Sequence, residues 1–159
     1  MTRFKILFIA AAVCSVLAGV AQAAGDLVTK RSSRPFDETL TRLEAAAKDG
    51  GMVVFARLDH AAAARAAGLQ MPPETVIVIG NPKAGTPQML QHPTLGIDLP
   101  LKMLVWQNEA GEVYVSYNDA TFLKATLSRH GFDVSSEKVG AGAKATEAKL
   151  ESIAAAAVK

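Results

Sequence analysis

The sequence is short of cysteine and of net charge, and it has no internal repeat. Cys14 is the only cysteine among 159 residues, which excludes an internal disulfide framework and a cysteine-based structural zinc site. The formal net charge of +2 gives no strong electrostatic case for binding nucleic acid. Hydrophobic residues make up 50% of the chain, which excludes intrinsic disorder, and the length fits one domain.

The first residues predict a secretory signal peptide that covers residues 1–23. Arg3 and Lys5 precede the uncharged apolar run Ile6–Val20, and Ala21–Ala23 supplies the small residues of a cleavage site. An uncleaved membrane anchor is the alternative, but the run is rich in alanine and no basic stop follows it. We therefore expect a periplasmic protein without a stable membrane anchor after cleavage.

Cleavage would change the chemistry of the mature chain. Cys14 would leave with the signal peptide, and a lipoprotein attached at Cys14 is rejected because Ala11–Val13 do not fit that signal. Arg3 and Lys5 would leave as well, so the remaining basic residues would balance the 15 acidic ones. A neutral chain without thiols suits an oxidising compartment. It also excludes cysteine nucleophiles and thiolate copper sites.

Apolar periodicity predicts alternating helices and strands in the first half of the mature chain. One helical stripe is formed by residues spaced three or four apart: Phe36, Leu40, Leu43 and Ala47. Asp59 predicts the N-cap of a short helix over residues 60–67. Strands are predicted at 27–30, 52–58 and 76–79. The last is an unbroken β-branched run, which predicts a central strand covered on both faces.

The second half predicts a hairpin with helices before and after it. Thr86 followed by Pro87 predicts the start of a short helix that ends at His92. Asn118 or Asp119 is expected to cap a helix that runs through His130. The hairpin strands are predicted at 101–106 and 113–117, and an Ala-rich helix at 146–158. That last helix is expected to pack on the domain or to fray, because its alanine face is too small for strong membrane insertion.

These elements together predict an α+β fold, a mostly antiparallel sheet with helices packed on one side. Residues 24–139 are predicted to form the domain, with a C-terminal Ala-rich helix at 140–159. Tyr114 and Tyr117 are predicted to point to opposite faces of their strand. The order of elements is not a clean alternation of strand and helix, which argues against a doubly wound nucleotide-binding fold.

Several motifs resemble the domain-of-unknown-function 302 family. In chain order they are Val54–Gly68 with its Asp59-His60 pair, Ile79–Pro87, Gly96–Lys102, Val105-Trp106 and Tyr114–Asp119. The resemblance covers about residues 33–131. It implies a small α+β domain of the TATA-binding-protein-like class, often a dimer, with no settled activity. That class name describes topology and implies no DNA binding.

Asn81–Thr86 is the first candidate binding site. It leads into a predicted helix N-terminus, where free backbone N–H groups, the helix dipole and Lys83 would favour a carboxylate or phosphate. The ordinary alternative is a turn whose geometry Asn81, Pro82 and Gly85 satisfy. No Walker motif is present, because the required Gly-Lys-Ser/Thr is missing.

Asp59-His60 is the second candidate. Histidine is the usual proton shuttle near neutral pH, and a helix start tunes it towards its neutral form. The ordinary alternative, which we favour, is an Asp59 N-cap followed by a surface or partly buried histidine. No Gly-x-Ser-x-Gly elbow and no His-Glu-x-x-His helix is present.

Metal binding is the third candidate, and it has the weakest support. Imidazole and thioether ligands suit copper or haem, and Met89 and His92 are spaced to share a helical face. Methionine is more often flexible core filler, and His130 is more simply a cation at a helix C-terminus. No catalytic or metal-ligating residue is therefore assigned, and the cofactor is left unknown.

Two classes of function follow. The first is a secreted, non-catalytic module that binds a small anionic ligand through His60, Asn81, Lys83, Gly85 and Thr86. The alternative is a small metal- or haem-dependent enzyme, or a metal-binding protein, that uses His60. The binding hypothesis expects the strands before His60 and before Asn81 to run in parallel, which would bring both segments to one edge of the sheet.

Overall fold

Five strands form one antiparallel sheet in the computed structural model, which describes residues 26–159. The strands are β1 (Leu27–Arg31), β2 (Val53–Asp59), β3 (Glu74–Gly80), β4 (Leu101–Gln107) and β5 (Val113–Asn118). Their order across the sheet is β1-β5-β4-β3-β2, and every neighbouring pair is antiparallel. The predicted α+β class with a mostly antiparallel sheet is confirmed. The predicted signal peptide lies outside the described residues.

Of the five α-helices in residues 26–159, three lie between strands, as does a short 3-10 helix, and two follow the last strand. The α-helices are α1 (Phe36–Asp49), α2 (His60–Ala66), α3 (Pro82–Gln91), α4 (Ala120–Arg129) and α5 (Glu137–Val158), and the 3-10 helix is Pro93–Ile97. Helices α1 and α5 pack on one face of the sheet and close the core, whose fully buried members include Leu43, Ile77, Met103, Val115 and Ala154. Within residues 26–159, no helix is long and apolar enough to cross a membrane.

The central strands bury one side more completely than the other. Ile77 and Ile79, on the side of α1 and α5, are almost fully buried, and the hairpin residues Met103 and Val105 are fully buried beside them. This confirms the predicted hairpin and the deep burial of the central strand on that side. The intervening Val76, however, is only half-buried. The helices of the described chain thus cover only one of the two faces that the run 76–79 predicts to be covered.

The last helix is longer than its alanine pattern predicts. It begins at Glu137 rather than near residue 146, because the two glycines at 140 and 142 weaken a helix without ending it. Its buried residues Leu150, Ile153 and Ala157 join the main core. The expected packing of this segment on the domain is confirmed.

The predicted start of α3 at Thr86 is wrong. The helix begins at Pro82 with Asn81 as its N-cap, and the Asn81 side chain accepts a hydrogen bond from the Lys83 N–H at 3.0 Å. Asn81-Pro82 carries the same cap-then-proline signal as Thr86-Pro87 and lies five residues earlier. Thr86 therefore lies inside the helix.

Candidate functional site

The expected shared mouth of His60 and Asn81 is wrong, because β2 and β3 are antiparallel. Val53 at the start of β2 lies opposite Gly80 at the end of β3, and Asp59 lies opposite Thr75. His60 follows Asp59, and Asn81 follows Gly80. The two segments are therefore at opposite ends of strands that are each about 20 Å long. No single small ligand contacts both.

The backbone N–H groups at the start of α3 already donate hydrogen bonds within the chain. Pro82 has no N–H, the Lys83 N–H is bound by the Asn81 side chain, and the Ala84 and Gly85 N–H groups donate to the Asn81 carbonyl at 3.0 and 2.9 Å. An anion at this end would compete with those bonds. The assignment of a ligand to Asn81, Lys83, Gly85 and Thr86 stays a prediction without support from this geometry.

His60 is exposed at the start of α2. The Asp59 carboxylate accepts a hydrogen bond from the Ala62 N–H at 2.7 Å, so Asp59 is an N-cap, as favoured. It does not orient the His60 ring, whose nitrogens make no hydrogen bond to any described residue. His60 thus lacks the oriented partner that a catalytic base requires.

A cleft of about 910 Å³ opens at the same end of the sheet as His60. Its walls are the segment from Arg31 to Asp37, the adjoining part of α2 with Ala61 and Arg65, and the β4–β5 turn with Gly111 and Glu112. Phe36, Met71 and Pro73 supply apolar surface. A volume of this size falls within the range of small-molecule sites.

The N-terminus of α1 enters this cleft without a side-chain cap. Its N-cap residue is Pro35, which makes no side-chain hydrogen bond, and both Pro35 and Phe36 line the cleft. The first N–H groups of a helix have no partner within the helix and carry a partial positive charge. An uncapped 14-residue helix therefore presents hydrogen-bond donors to an acceptor in the cleft.

Three arginines line the cleft, and they differ in how they are engaged. Arg31 pairs with Glu112 at 2.8 Å, and Arg34 donates to the Lys159 carbonyl at 2.7 Å. Arg65 forms no ion pair and no side-chain hydrogen bond with the rest of residues 26–159. Arg65 is the guanidinium of the cleft that a ligand can engage without breaking an existing contact.

The acidic side chains of the cleft also differ in the contacts that they make. Glu112 accepts hydrogen bonds from the Tyr114 hydroxyl at 2.8 Å and the Asn108 amide at 2.9 Å. The Tyr114 bond, then the Asn108 bond and the Arg31 charge, hold the pKa of Glu112 below its usual range. Glu112 thus remains ionised, and groups of the same chain already engage its carboxylate oxygens. Asp37, Asp59 and Glu74 complete a cleft in which four carboxylates face three arginines, which suits a small ligand with one anionic group better than a polyanion.

A second polar cluster lies at the other end of the sheet. His130 caps the C-terminus of α4 and is buried, with its Nε2 2.6 Å from Asp98 and its Nδ1 2.9 Å from the Thr94 hydroxyl. The histidine therefore ties the end of α4 to Thr94 in the 3-10 helix and to Asp98 just after it. Near it, His92 packs on Phe132 with ring centroids 4.1 Å apart. The described part of the chain contains no group of three or more potential metal ligands.

Sequence reasoning missed the cleft residues Arg31, Arg34 and Arg65. One local signal was available, because a helix that starts after Pro35 has no Ser, Thr, Asp or Asn at its N-cap and is open to a ligand. Sequence reasoning also missed the Asp98–His130 pair. The two residues are 32 apart, and no periodic pattern connects them.

A protein-family model and a solved structure both match this chain. Residues 28–157 match the family model described as Domain of unknown function DUF302. The chain belongs to this family. The match includes nearly all of α5, which extends the likeness beyond the motifs at residues 33–131. A crystal structure of an uncharacterised conserved DUF302 protein from Bacillus stearothermophilus superposes with a TM-score of 0.71 at 20% identity, covering 86% of this chain and 100% of that one.

Curated proteins that are similar to this DUF302 chain are named as fluoride-specific ion channels. Proteins named fluoride-specific ion channel FluC 1, from Brucella suis biovar 1 (strain 1330) and Brucella abortus biovar 1 (strain 9-941), are each 42% identical over 111 residues. The match covers 70% of this chain but 42% and 40% of those proteins. The chain thus matches about two fifths of the length of these relatives.

Proposed function

We propose that this DUF302 protein is a non-catalytic binding module that holds a small molecule with one carboxylate or phosphate group. The ligand lies in the cleft between the start of α1, α2 and the β4–β5 turn. The observation that carries the proposal is the uncapped N-terminus of α1, which opens into the same cleft as the unpaired side chain of Arg65.

The two features support one chemistry from two directions. Backbone N–H groups at the start of α1 donate directional hydrogen bonds to an oxyanion, and the helix dipole adds to the attraction. A guanidinium binds the same oxyanion with paired donors. The carboxylates of Asp37, Asp59 and Glu74 also line the cleft, so a second ligand group that donates a hydrogen bond or carries positive charge is accommodated.

Titration with inorganic phosphate and with acetate, followed by backbone amide NMR, tests the proposal. The largest shifts are expected at Phe36, Asp37 and the residues around Arg65, because these line the cleft. Arg65→Ala should weaken binding by about tenfold, in keeping with the loss of one charge-assisted contact. The matched control is Lys83→Ala, which removes a cation at the opposite end of the sheet and should leave affinity unchanged.

The control variant also shows at which end of the sheet the anion binds. Shifts at Lys83 and Gly85 that disappear in Lys83→Ala, with none at Phe36, would place the anion at α3 and overturn the proposal. Saturable shifts at Phe36 that survive Arg65→Ala would keep the helix N-terminus and remove Arg65 from the site. The absence of saturable shifts at both ends would end the proposal for both anions.

We also propose that the module acts in the periplasm after removal of residues 1–23. The basic start, the uncharged run and the small residues before Ala24 support export. Intact mass of the protein recovered from the periplasm should correspond to a chain that begins at Ala24 and has no thiol. A mass that retains Met1, or recovery only from the membrane fraction, would contradict cleavage.

A further inference from the structure

A hydroxyl, an imidazole and a carboxylate form one hydrogen-bonded array at the end of the sheet opposite the cleft. The Thr94 hydroxyl lies 2.9 Å from Nδ1 of His130, and Nε2 of the same ring lies 2.6 Å from the Asp98 carboxylate. Thr94 is in the 3-10 helix and Asp98 directly follows it, whereas His130 is the C-cap of α4. A nucleophile, a base and a group that orients the base stand in this order in proteins that form acyl intermediates.

The three groups of the Thr94–His130–Asp98 array differ in their access to water. The His130 side chain is only 4% exposed and that of Asp98 is 27% exposed, whereas Thr94 is exposed. The ring is thus buried and held at both of its nitrogens. The hydroxyl at the end of the array is the member that a reactant in solution can reach.

The carboxylate fixes which nitrogen of the ring carries the proton. The hydrogen bond from His130 and, against the opposing effect of burial, the charge of Arg129 hold the pKa of Asp98 below its ordinary range. An ionised carboxylate only accepts hydrogen bonds, so Nε2 of His130 donates to Asp98. In the neutral ring Nδ1 is then an acceptor, and the Thr94 hydroxyl donates to it. The hydroxyl proton therefore points at a base.

The other histidines do not share this geometry. Of the three histidines in the sequence, only His130 has both ring nitrogens engaged by side chains within residues 26–159. His92, two residues before Thr94, packs instead on Phe132, two residues after His130, with ring centroids 4.1 Å apart. This pair places an aromatic surface next to the array, on which an apolar acyl or aryl group can pack.

The array supplies a base but no reserved side-chain donor for an oxyanion. Among the described residues, the buried side-chain nitrogen or oxygen without a hydrogen-bond partner is Nε of Arg42 on α1. No buried side chain is therefore held free beside Thr94 to stabilise a negative oxygen, as the cleavage of an amide requires. An ester with a good leaving group depends less on such a donor. The array thus suits activated esters rather than peptides.

We propose that Thr94 is a nucleophile that accepts an acyl group from an activated ester. The Thr94 oxygen forms a bond to the acyl carbon as its proton passes to Nδ1 of His130. The bond from the acyl carbon to the leaving oxygen then breaks, and the proton on Nδ1 passes to that oxygen. The products are acyl-Thr94 and the free alcohol. Asp98 is a positioning residue, because it keeps the ring in the tautomer that takes the proton.

Labelling of the purified protein with p-nitrophenyl acetate, followed by an acid quench, tests the proposal. Trypsin cuts after Lys83 and Lys102, which releases Thr94 and Thr86 in one peptide, residues 84–102. Thr86 is the matched control, because it is exposed as well and makes no hydrogen bond to an imidazole. Fragment mass spectrometry should find at least about tenfold more acetyl on Thr94 than on Thr86, in keeping with assistance by a general base.

Two variants separate reactivity from structure. Asp98→Asn nearly keeps the size of the side chain, but its amide can donate to Nε2, which moves the ring proton to Nδ1. It should lower the labelling of Thr94 by about tenfold, leave Thr86 unchanged and move the ring-nitrogen NMR signals of His130 to the other tautomer. Thr94→Ser keeps the hydroxyl, so the label should be retained.

Each outcome decides the proposal. Equal labelling of Thr94 and Thr86, or no label on either, would overturn it. Preferential labelling of Thr94 that is unchanged in folded Asp98→Asn would mean that the hydroxyl reacts without the array, which also contradicts the proposal. If Asp98→Asn does not fold, the comparison of the two threonines in the wild-type chain still decides. None of these results bears on anion binding in the cleft, which is at the other end of the sheet.

Discussion

The two faces of the sheet carry similar side chains and meet different surroundings. On the helix side, Ile77 and Val105 are fully buried under α1 and α5. On the open side, Val76 and Leu104 are only half-buried, because the described chain supplies no second layer there. Strand composition therefore does not distinguish the two faces of the sheet, and the path of the chain decides which face α1 and α5 cover.

The largest expected effect is the difference in stability between aspartate substitutions on the two faces of β3. Ile77→Asp should lower the free energy of unfolding by more than about 4 kcal/mol, because it places an unpaired carboxylate in a fully packed core. Val76→Asp should lower the stability of the folded monomer by no more than about 1–2 kcal/mol, since its carboxylate reaches water. Urea denaturation of both variants, followed by circular dichroism, checks the difference. Equal losses would show that the described chain already buries both faces.

The parts of the fold that were predicted correctly depend on local patterns. The helical stripe from Phe36 to Ala47 and the hairpin strands at 101–106 and 113–117 are short-range signals, and the structure confirms them. The start of α3 was misplaced because Asn81-Pro82 and Thr86-Pro87 carry the same signal. Only the wider packing selects between two such signals.

The candidate site was less predictable, because its geometry depends on strand direction and on long-range approach. The hypothesis of a shared mouth required β2 and β3 to be parallel, and the short helix between them does not specify the direction. The cleft brings Arg31 on β1 close to Arg65 on α2 and Glu112 on the β4–β5 turn. Residues so far apart in sequence have no common period or spacing from which their proximity follows.

The two tyrosines of β5 give a smaller contrast between the faces. They point to opposite faces, as predicted: Tyr117 joins the core and donates to Glu151, whereas Tyr114 lies on the face away from α1 and α5, is also buried, and donates to Glu112. Burial, followed by the bond to Glu151, raises the pKa of Tyr117, so its hydroxyl stays protonated and continues to donate. Glu151 also pairs with Lys30 at 2.8 Å.

Removal of the two hydroxyls should therefore lower the free energy of unfolding by unequal amounts. Tyr117→Phe should lower the free energy of unfolding by about 1 kcal/mol, because a partly buried hydrogen bond is lost while Glu151 keeps its lysine. Tyr114→Phe should cost less than about 0.5 kcal/mol, since Asn108 and Arg31 still engage Glu112. Thermal unfolding of the two variants at pH 7 measures the difference. A larger loss for Tyr114→Phe would reverse the order of the two faces.

The smallest expected effect lies at the end of the sheet opposite the cleft, where Asp98 binds His130. The hydrogen bond from His130 and, after burial that opposes it, the charges of Arg129, His130 and Lys102 lower the pKa of Asp98 below its ordinary value. A carboxyl whose pKa falls on folding stabilises the folded state above its unfolded pKa of about 4. That contribution is lost as the pH falls from about 4 through the lower pKa of the folded state.

The variant Asp98→Asn isolates this group from the other carboxyls. Glu112, Asp133 and Glu151 also have lowered pKa values, so the wild-type chain will lose stability in acid for several reasons. Those groups are present in both chains and cancel in the difference. The urea midpoint of the wild-type chain should exceed that of Asp98→Asn at pH 6, and the gap should close as both are titrated below pH ~4. A gap that stays constant down to the lowest pH would mean that the Asp98–His130 contact acts through shape and hydrogen bonding alone, without the carboxylate charge.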